Sequence, residues 1–275
     1  MEQMIRETKK REALGRMKKE SIRNLCLGIA GIAGLLLLWD MVARFGIIPK
    51  NLIVSPWEVV KTLAMKMSDT KPEGSLLPAH IASSLIVALS GYALALLIGI
   101  PLGLLMGWYK AMDRLIGPVF EVLRPVPPIA WIPFTIIFLG IGLEAKAVII
   151  FLSAFIPCLI NSYSGIKLTN QVYVNVAATC GASRWETFRR VGVPSAMPMV
   201  FAGMRISLGN AWSTLVAAEM LAANKGLGYM ILMGRTYGRV DLIMSGMVMI
   251  GMLGIAFNAV FDRVERFVLR WRVTR

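Results

Sequence analysis

Six apolar stretches, each about twenty residues or longer, bound what this chain can fold into. They run over 25–45, 81–108, 116–141, 146–166, 197–221 and 242–261. A stretch of that length and polarity bridges a bilayer as a helix, because hydrocarbon offers no partner to backbone N–H and C=O groups. Only 17% of the residues are charged, against about 25% in a soluble domain. The expected fold is an all-α polytopic membrane protein with six transmembrane helices. A basic segment 1–24 precedes the helical domain 25–266, and a basic tail 267–275 follows it. Six crossings put both termini on one side of the membrane.

Charge placement orients the chain. The net charge is +14, which by itself suggests a nucleic-acid partner. With cytoplasmic termini, twenty of the thirty Lys and Arg side chains fall on the inside segments 1–24, 109–124, 167–196 and 262–275. Eight fall on the outside segments 46–80, 142–146 and 222–241, and Arg44 and Arg205 lie within spans. That bias is the positive-inside pattern. Topology and anionic lipid account for the charge, and no nucleic acid is expected.

Few side chains suit catalysis. His80 is the single histidine, so a histidine triad or a multi-histidine metal site is excluded within one chain. Cys26, Cys158 and Cys180 have no metal-ligand spacing. There is no P-loop, so ATP hydrolysis is not expected here, and Gly226-Leu-Gly228 is too weak a signal for nucleotide binding. No catalytic residue, metal or resident cofactor is expected.

One polar interruption has more local design than a loop needs. Residues 170–180 read as a short helix, and Gly181 stands where a helix end wants the left-handed conformation. Ser183 opens a second helix, with Glu186 completing a capping box. Trp185, Phe188 and Val191 share one face of it, with Arg184, Arg189 and Arg190 around them. Gly192 and Pro194 are expected to stop it. An amphipathic surface hairpin fits this pattern, and so do the ingredients of a helix-turn-helix. Spans on both sides argue against the latter.

The same residues resemble the cytoplasmic loop of permease subunits of bacterial ABC importers. That loop reads Glu-Ala-Ala, three residues, Gly, nine residues, then Ile-x-Leu-Pro. Here nine residues separate Gly181 from Val191-Gly192-Val193-Pro194. The Glu position falls on Asn175, a departure that removes a carboxylate, and the Ala positions fall on Val176 and Ala177. Two further stretches, 124–133 (RPVPPIAWIP) and 209–220 (GNAWSTLVAAEM), resemble the nitrate, taurine and aliphatic sulfonate branch. The resemblance covers about 80–265. It implies a coupling-helix loop between helices 4 and 5 that docks on an ATPase through Asn175, Ala177, Ala178, Gly181, Ser183, Arg184, Trp185, Glu186 and Pro194. It also implies a second copy of the chain, two ATP-binding subunits that carry ATP and magnesium, and an external solute-binding protein. The implied location is the bacterial inner membrane, and the implied cargo a small anion such as a sulfonate, taurine or nitrate.

The translocation route has its own candidates. Pro127 and Trp131 lie in a proline-rich stretch that cannot form a regular helix, which is tolerated at membrane depth only in protein or beside a cavity. A structural break is the other reading. The fifth span carries Arg205, Asn210, Trp212, Ser213 and Glu219. Arg205 and Glu219 are fourteen residues apart, hence on nearly one face about 21 Å apart. Either they border the route, or Arg205 snorkels and Glu219 sits near a surface. Asp40 and Arg44 are spaced to pair. Segment 55–61 starts like a capped amphipathic helix that rests on the outer face or touches an external partner. A secondary transporter with Glu219 as coupling carboxylate is the competing function, although no internal repeat accompanies it. A scaffolding membrane protein is the third.

Overall fold

The computed structural model describes residues 23, 26–46, 48–49 and 51–270. Most of the basic segment read at 1–24 and the last five residues of the tail lie outside the described residues. The chain divides into two compact units, Met1–Thr62 and Leu63–Arg275. In the first, α1 (Cys26–Arg44) is long and apolar enough to cross a membrane. Its Asp40 carboxylate pairs with Arg44 at 2.8 Å, as the spacing suggested. The Trp39 indole N–H donates to the Val54 carbonyl at 2.9 Å. Helix α2 (Pro56–Met65) begins with the expected cap. The Ser55 amide donates to Glu58 Oε2 at 3.0 Å, and the Glu58 amide to Ser55 Oγ at 3.3 Å.

The second unit is built on α3 (Leu77–Trp108), α6 (Leu143–Lys167) and α9 (Val193–Ala222). Small residues let α3 and α6 touch along their length. A Cβ at Gly91 would come within 2.6 Å of the Ala147 carbonyl, and one at Gly103 within 2.5 Å of the Leu159 carbonyl. One at Gly107 would meet the Tyr163 carbonyl at 2.9 Å. Contacts that rise together in sequence mean that α3 and α6 run parallel. Helix α9 runs opposite to both: Gly203 abuts Asn161, Ser207 Oγ donates to the Ala154 carbonyl, and Ser153 Oγ reaches the Asn210 carbonyl. Pro101 does not end α3.

Two parallel helices in succession require a return between them. That return is α4 (Lys110–Leu123), a 3₁₀ turn (Pro128–Trp131) and α5 (Ile132–Leu139), with an 83° bend between its halves. The third span expected at 116–141 is therefore a broken one that begins earlier. By length and composition the described residues hold five helices able to cross, or up to six with the bent pair counted as one. The short helices α7 (Gln171–Thr179) and α8 (Arg184–Thr187) precede α9. After it come α10 (Leu227–Thr236), within the segment 222–241 expected outside the membrane, and α11 (Val240–Val268), which extends past the expected end at 261. Helix α11 packs antiparallel to α9, with Trp212 donating to the Ile250 carbonyl and Arg205 paired with Asp262 and Glu265. The unit thus has an elbow end, with Trp108, α7 and α8, and a far end, with the start of α3, the end of α9 and α10.

Candidate functional site

At the elbow end, Asn170 Oδ1 accepts from the Val172 amide at 2.9 Å and starts α7. Gly181 ends it at φ +78°. The Gly181 amide bonds the Ala178 carbonyl, and the Ala182 amide bonds the Ala177 carbonyl, both at 3.0 Å, which closes a Schellman turn. Ser183 and Glu186 form the expected box: Glu186 N–H to Ser183 Oγ at 3.2 Å, Ser183 N–H to Glu186 Oε2 at 3.0 Å. Ser183→Ala should raise amide exchange over 184–187 about fivefold, the equivalent of one lost cap. Exchange measured by mass spectrometry checks it, and unchanged exchange would show that packing, not the cap, holds α8.

The expectation that Gly192 and Pro194 stop this helix is overturned. Residues Phe188–Gly192 form a π turn and the chain runs on into α9, so Arg184–Leu221 behaves as one 38-residue element. Pro194 is accommodated because it follows directly on the π turn, where the regular i→i−4 ladder is already interrupted. Gly192 serves packing: a Cβ there would lie 2.9 Å from the Trp108 ring. Phe188, 6% exposed, sits among Trp108, Tyr109 and Trp185 at ring distances of 5.6, 6.0 and 5.3 Å. These rings fasten the elbow to the end of α3.

The outer side of the elbow is open. Val172, Tyr173, Val176 and Trp185 are all more than half exposed, and Asn175, Ala178, Arg184 and Glu186 are exposed beside them. Ala177 is half-buried, and Pro194 is exposed at the base of α9. Asn175 accepts from Gln171 Nε2 at 3.1 Å in place of any ionic contact. Behind the elbow, a cleft of about 450 Å³ runs between Trp108, Lys110, Lys167, Gln171 and Arg184. An exposed aromatic and aliphatic patch rimmed by arginine has the make-up of a protein interface.

The candidate route residues do not share one environment. Asn210 and Ser213 lie on an exposed strip of α9 with Ile206 and Gly209. Ser213 Oγ returns to the Gly209 carbonyl at 3.0 Å. Arg205 is half-exposed but tied to Asp262 and Glu265 on α11, and lies over the Phe261 ring. Trp212 turns toward α11, edge-on to Phe257 at 4.9 Å. Pro127 is exposed, and Trp131 packs edge-on to Phe134 at 5.8 Å. Glu219 leaves the strip altogether, with 0% exposure. The forty-degree offset that made Arg205 and Glu219 look alike in sequence separates a half-exposed ion pair from a sealed site. Glu219 is held by Ser84 Oγ at 2.8 Å and the Gly228 amide at 2.9 Å. Sequence reasoning missed Ser84 and His80 as its neighbours. The available signal was two polar side chains one helical turn apart in an apolar span.

Known proteins resemble this chain in sequence and in fold. The family model for the binding-protein-dependent transport system inner membrane component matches residues 99–273. The taurine transport system permease protein of Escherichia coli is 33% identical over 252 residues, 90% of each chain. The bicarbonate transport system permease protein of a Synechocystis species is 32% identical over 244 residues, 87% of each. Among solved structures, an inward-facing methionine ABC transporter aligns with 72% of this chain and 96% of its own. Its TM-score is 0.61 at 21% identity, a likeness of fold. The chain belongs to the family of binding-protein-dependent inner membrane transport components and is an ABC transporter permease.

Proposed function

We propose that two copies of this chain form the pore of an importer for a small anion of the sulfonate, taurine, nitrate or bicarbonate kind. Two ATPase subunits, which carry ATP and magnesium, dock on the elbows at the cytoplasmic face, and an external binding protein delivers the cargo. The observation that carries this reading is the elbow itself: an exposed patch continuous, through a π turn, with a membrane-crossing helix. Closure of the ATPases displaces Ala177, Ala178, Gly181 and Arg184, and α9 swings with them. Asn210 and Ser213 support the paired arrangement. Polar groups near mid-span face protein or water rather than lipid, so the exposed strip of α9 borders the second copy and the route between them. Trp212 and Glu219 act instead as packing and fastening groups.

Gly181→Asp tests the reading. Open space surrounds Gly181, so the Asp side chain meets no core atom, and the backbone strain of any side chain at φ +78° is shared by the Asn control. The expected result, for chain and ATPase co-purified in nanodiscs, is at least a tenfold loss of captured ATPase and of stimulated hydrolysis. Gly181→Asn keeps a residue tolerant of the left-handed conformation and should retain most of both. Equal capture by the Asp variant, or no ATPase captured by the unaltered chain, sinks the reading.

A further inference from the structure

The far end of α9 holds an arrangement that packing alone does not explain. The three consecutive amides that open α10 are each taken by a side chain from another helix. The Gly226 amide donates to His80 Nδ1 at 3.0 Å, the Leu227 amide to Ser84 Oγ at 2.9 Å, and the Gly228 amide to Glu219 Oε2 at 2.9 Å. His80 and Ser84 are one turn apart on α3, hence on one face, and Glu219 comes from α9. The Ser84 hydroxyl donates to the Glu219 carboxylate at 2.8 Å while it accepts from Leu227, so these two caps form one network, and His80 holds the adjoining amide beside it. All three side chains are fully buried. Lys146 on α6, also buried, adds an opposite charge that acts on the carboxylate.

The backbone is shaped to fit. Gly226 has φ +132°, and a Cβ there would run into the Glu219 carboxyl group. A Cβ at Gly228 would lie 2.6 Å from the Val216 carbonyl. Two glycines therefore bring the start of α10 against α9. Separating them would strand a buried carboxylate and three orphan amides away from water, a state with a large penalty.

We propose that Glu219, with Ser84 and His80, is a positioning latch that makes α10 a rigid extension of α9 and α3. Displacement at the elbow then reaches the far end of the permease through this joint. The inference rests on the elbow being the ATPase dock, since it describes where that movement goes. The element from Arg184 to Leu221 is 38 residues, about 57 Å at 1.5 Å per residue, which spans the distance from dock to latch. Glu219 is thus a fastening at the end of a lever, and no coupling ion is needed to explain a carboxylate there.

The test uses the full chain with its ATPase in nanodiscs, and in proteoliposomes with the external binding protein and radiolabelled taurine as the cargo probe, and compares the unaltered protein with Glu219→Ala and Glu219→Gln. Amide exchange at 226–228 is followed without nucleotide and in an ATP-trapped state. In the unaltered protein, protection should be the same in both states. In Glu219→Ala, exchange at 227–228 should rise at least tenfold. ATPase capture and stimulated hydrolysis should persist while transport per ATP falls at least tenfold. If Glu219→Ala does not fold, Glu219→Gln, which keeps one acceptor oxygen and the volume, should show the same uncoupling to a smaller degree. Protection lost on ATP trapping in the unaltered protein, or transport per ATP unchanged in a variant whose amides exchange faster, overturns the latch while the elbow reading stands. Failure of the unaltered chain to capture any ATPase overturns both, whatever the exchange data show.

Discussion

Glu73→Ala is expected to lower the thermal midpoint of the detergent-solubilised permease by about 10 °C, from a loss of about 3–5 kcal/mol. Glu73 Oε1 lies 2.7 Å from the Lys66 ammonium, and the two side chains are 0% and 1% exposed. Lys66 Nζ also donates to the Lys71 carbonyl at 3.1 Å. Removal of the carboxylate leaves an ammonium out of water with one neutral acceptor, and the loss is chiefly that stranded charge. The pair also sits where α3 begins, because the Lys66 carbonyl accepts the Leu77 amide at 2.9 Å. Strain at Lys66 therefore passes to the turn that carries His80. The paired substitution Lys66→Met with Glu73→Leu removes both charges at similar volume and should recover most of the midpoint. A double variant as unstable as Glu73→Ala would mean that the volume and shape of these side chains, rather than their charges, hold the loop.

The two ends of the second unit differ in how far they could be read without coordinates. The elbow was legible because its signals are local. Gly181 needs only its own backbone to show a left-handed turn, and Ser183 and Glu186 cap within four residues. The apolar runs likewise announced the helices, and the four-residue repeat of Gly99, Gly103 and Gly107 is a small-residue stripe of the kind that marks close helix contact. Where the chain continues through a proline, local rules misled: Pro194 follows directly on the π turn, which interrupts the i→i−4 ladder and absorbs the register change. The far end stayed hidden because its order is tertiary. The partners of Glu219 are 135 residues away at Ser84 and nine away at Gly228. Gly226-Leu-Gly228, too weak as a nucleotide signal, proved to be the seam that admits them. Arg205 had the same difficulty, with partners 57 and 60 residues away.

A single methyl group at Gly103 should do more damage than the same group at Gly99 or Gly251. Gly103→Ala places a Cβ within 2.5 Å of the Leu159 carbonyl and 2.8 Å of Ser162 Cβ. A backbone carbonyl inside a helix cannot rotate away, so α6 must move as a body. The expected loss is about 3 kcal/mol, the upper range for overpacking. Two controls fix the cause. At Gly99 the added Cβ meets Cys158 at 3.4 Å, an ordinary contact, and the Phe155 ring at 3.3 Å, which needs to give by only a few tenths of an ångström at small loss. At Gly251 nothing lies within 4 Å, and alanine should stabilise α11 by up to about 1 kcal/mol through helix propensity. Thermal midpoints should therefore rank Gly251→Ala above the unaltered chain, then Gly99→Ala, then Gly103→Ala. If Gly103→Ala matches Gly99→Ala, the close approach of α3 to α6 is not what fixes the frame. If the ranking holds, ATPase stimulation should fall along it as well, because the Trp108 end of α3 is the surface on which Phe188 and Gly192 seat the elbow.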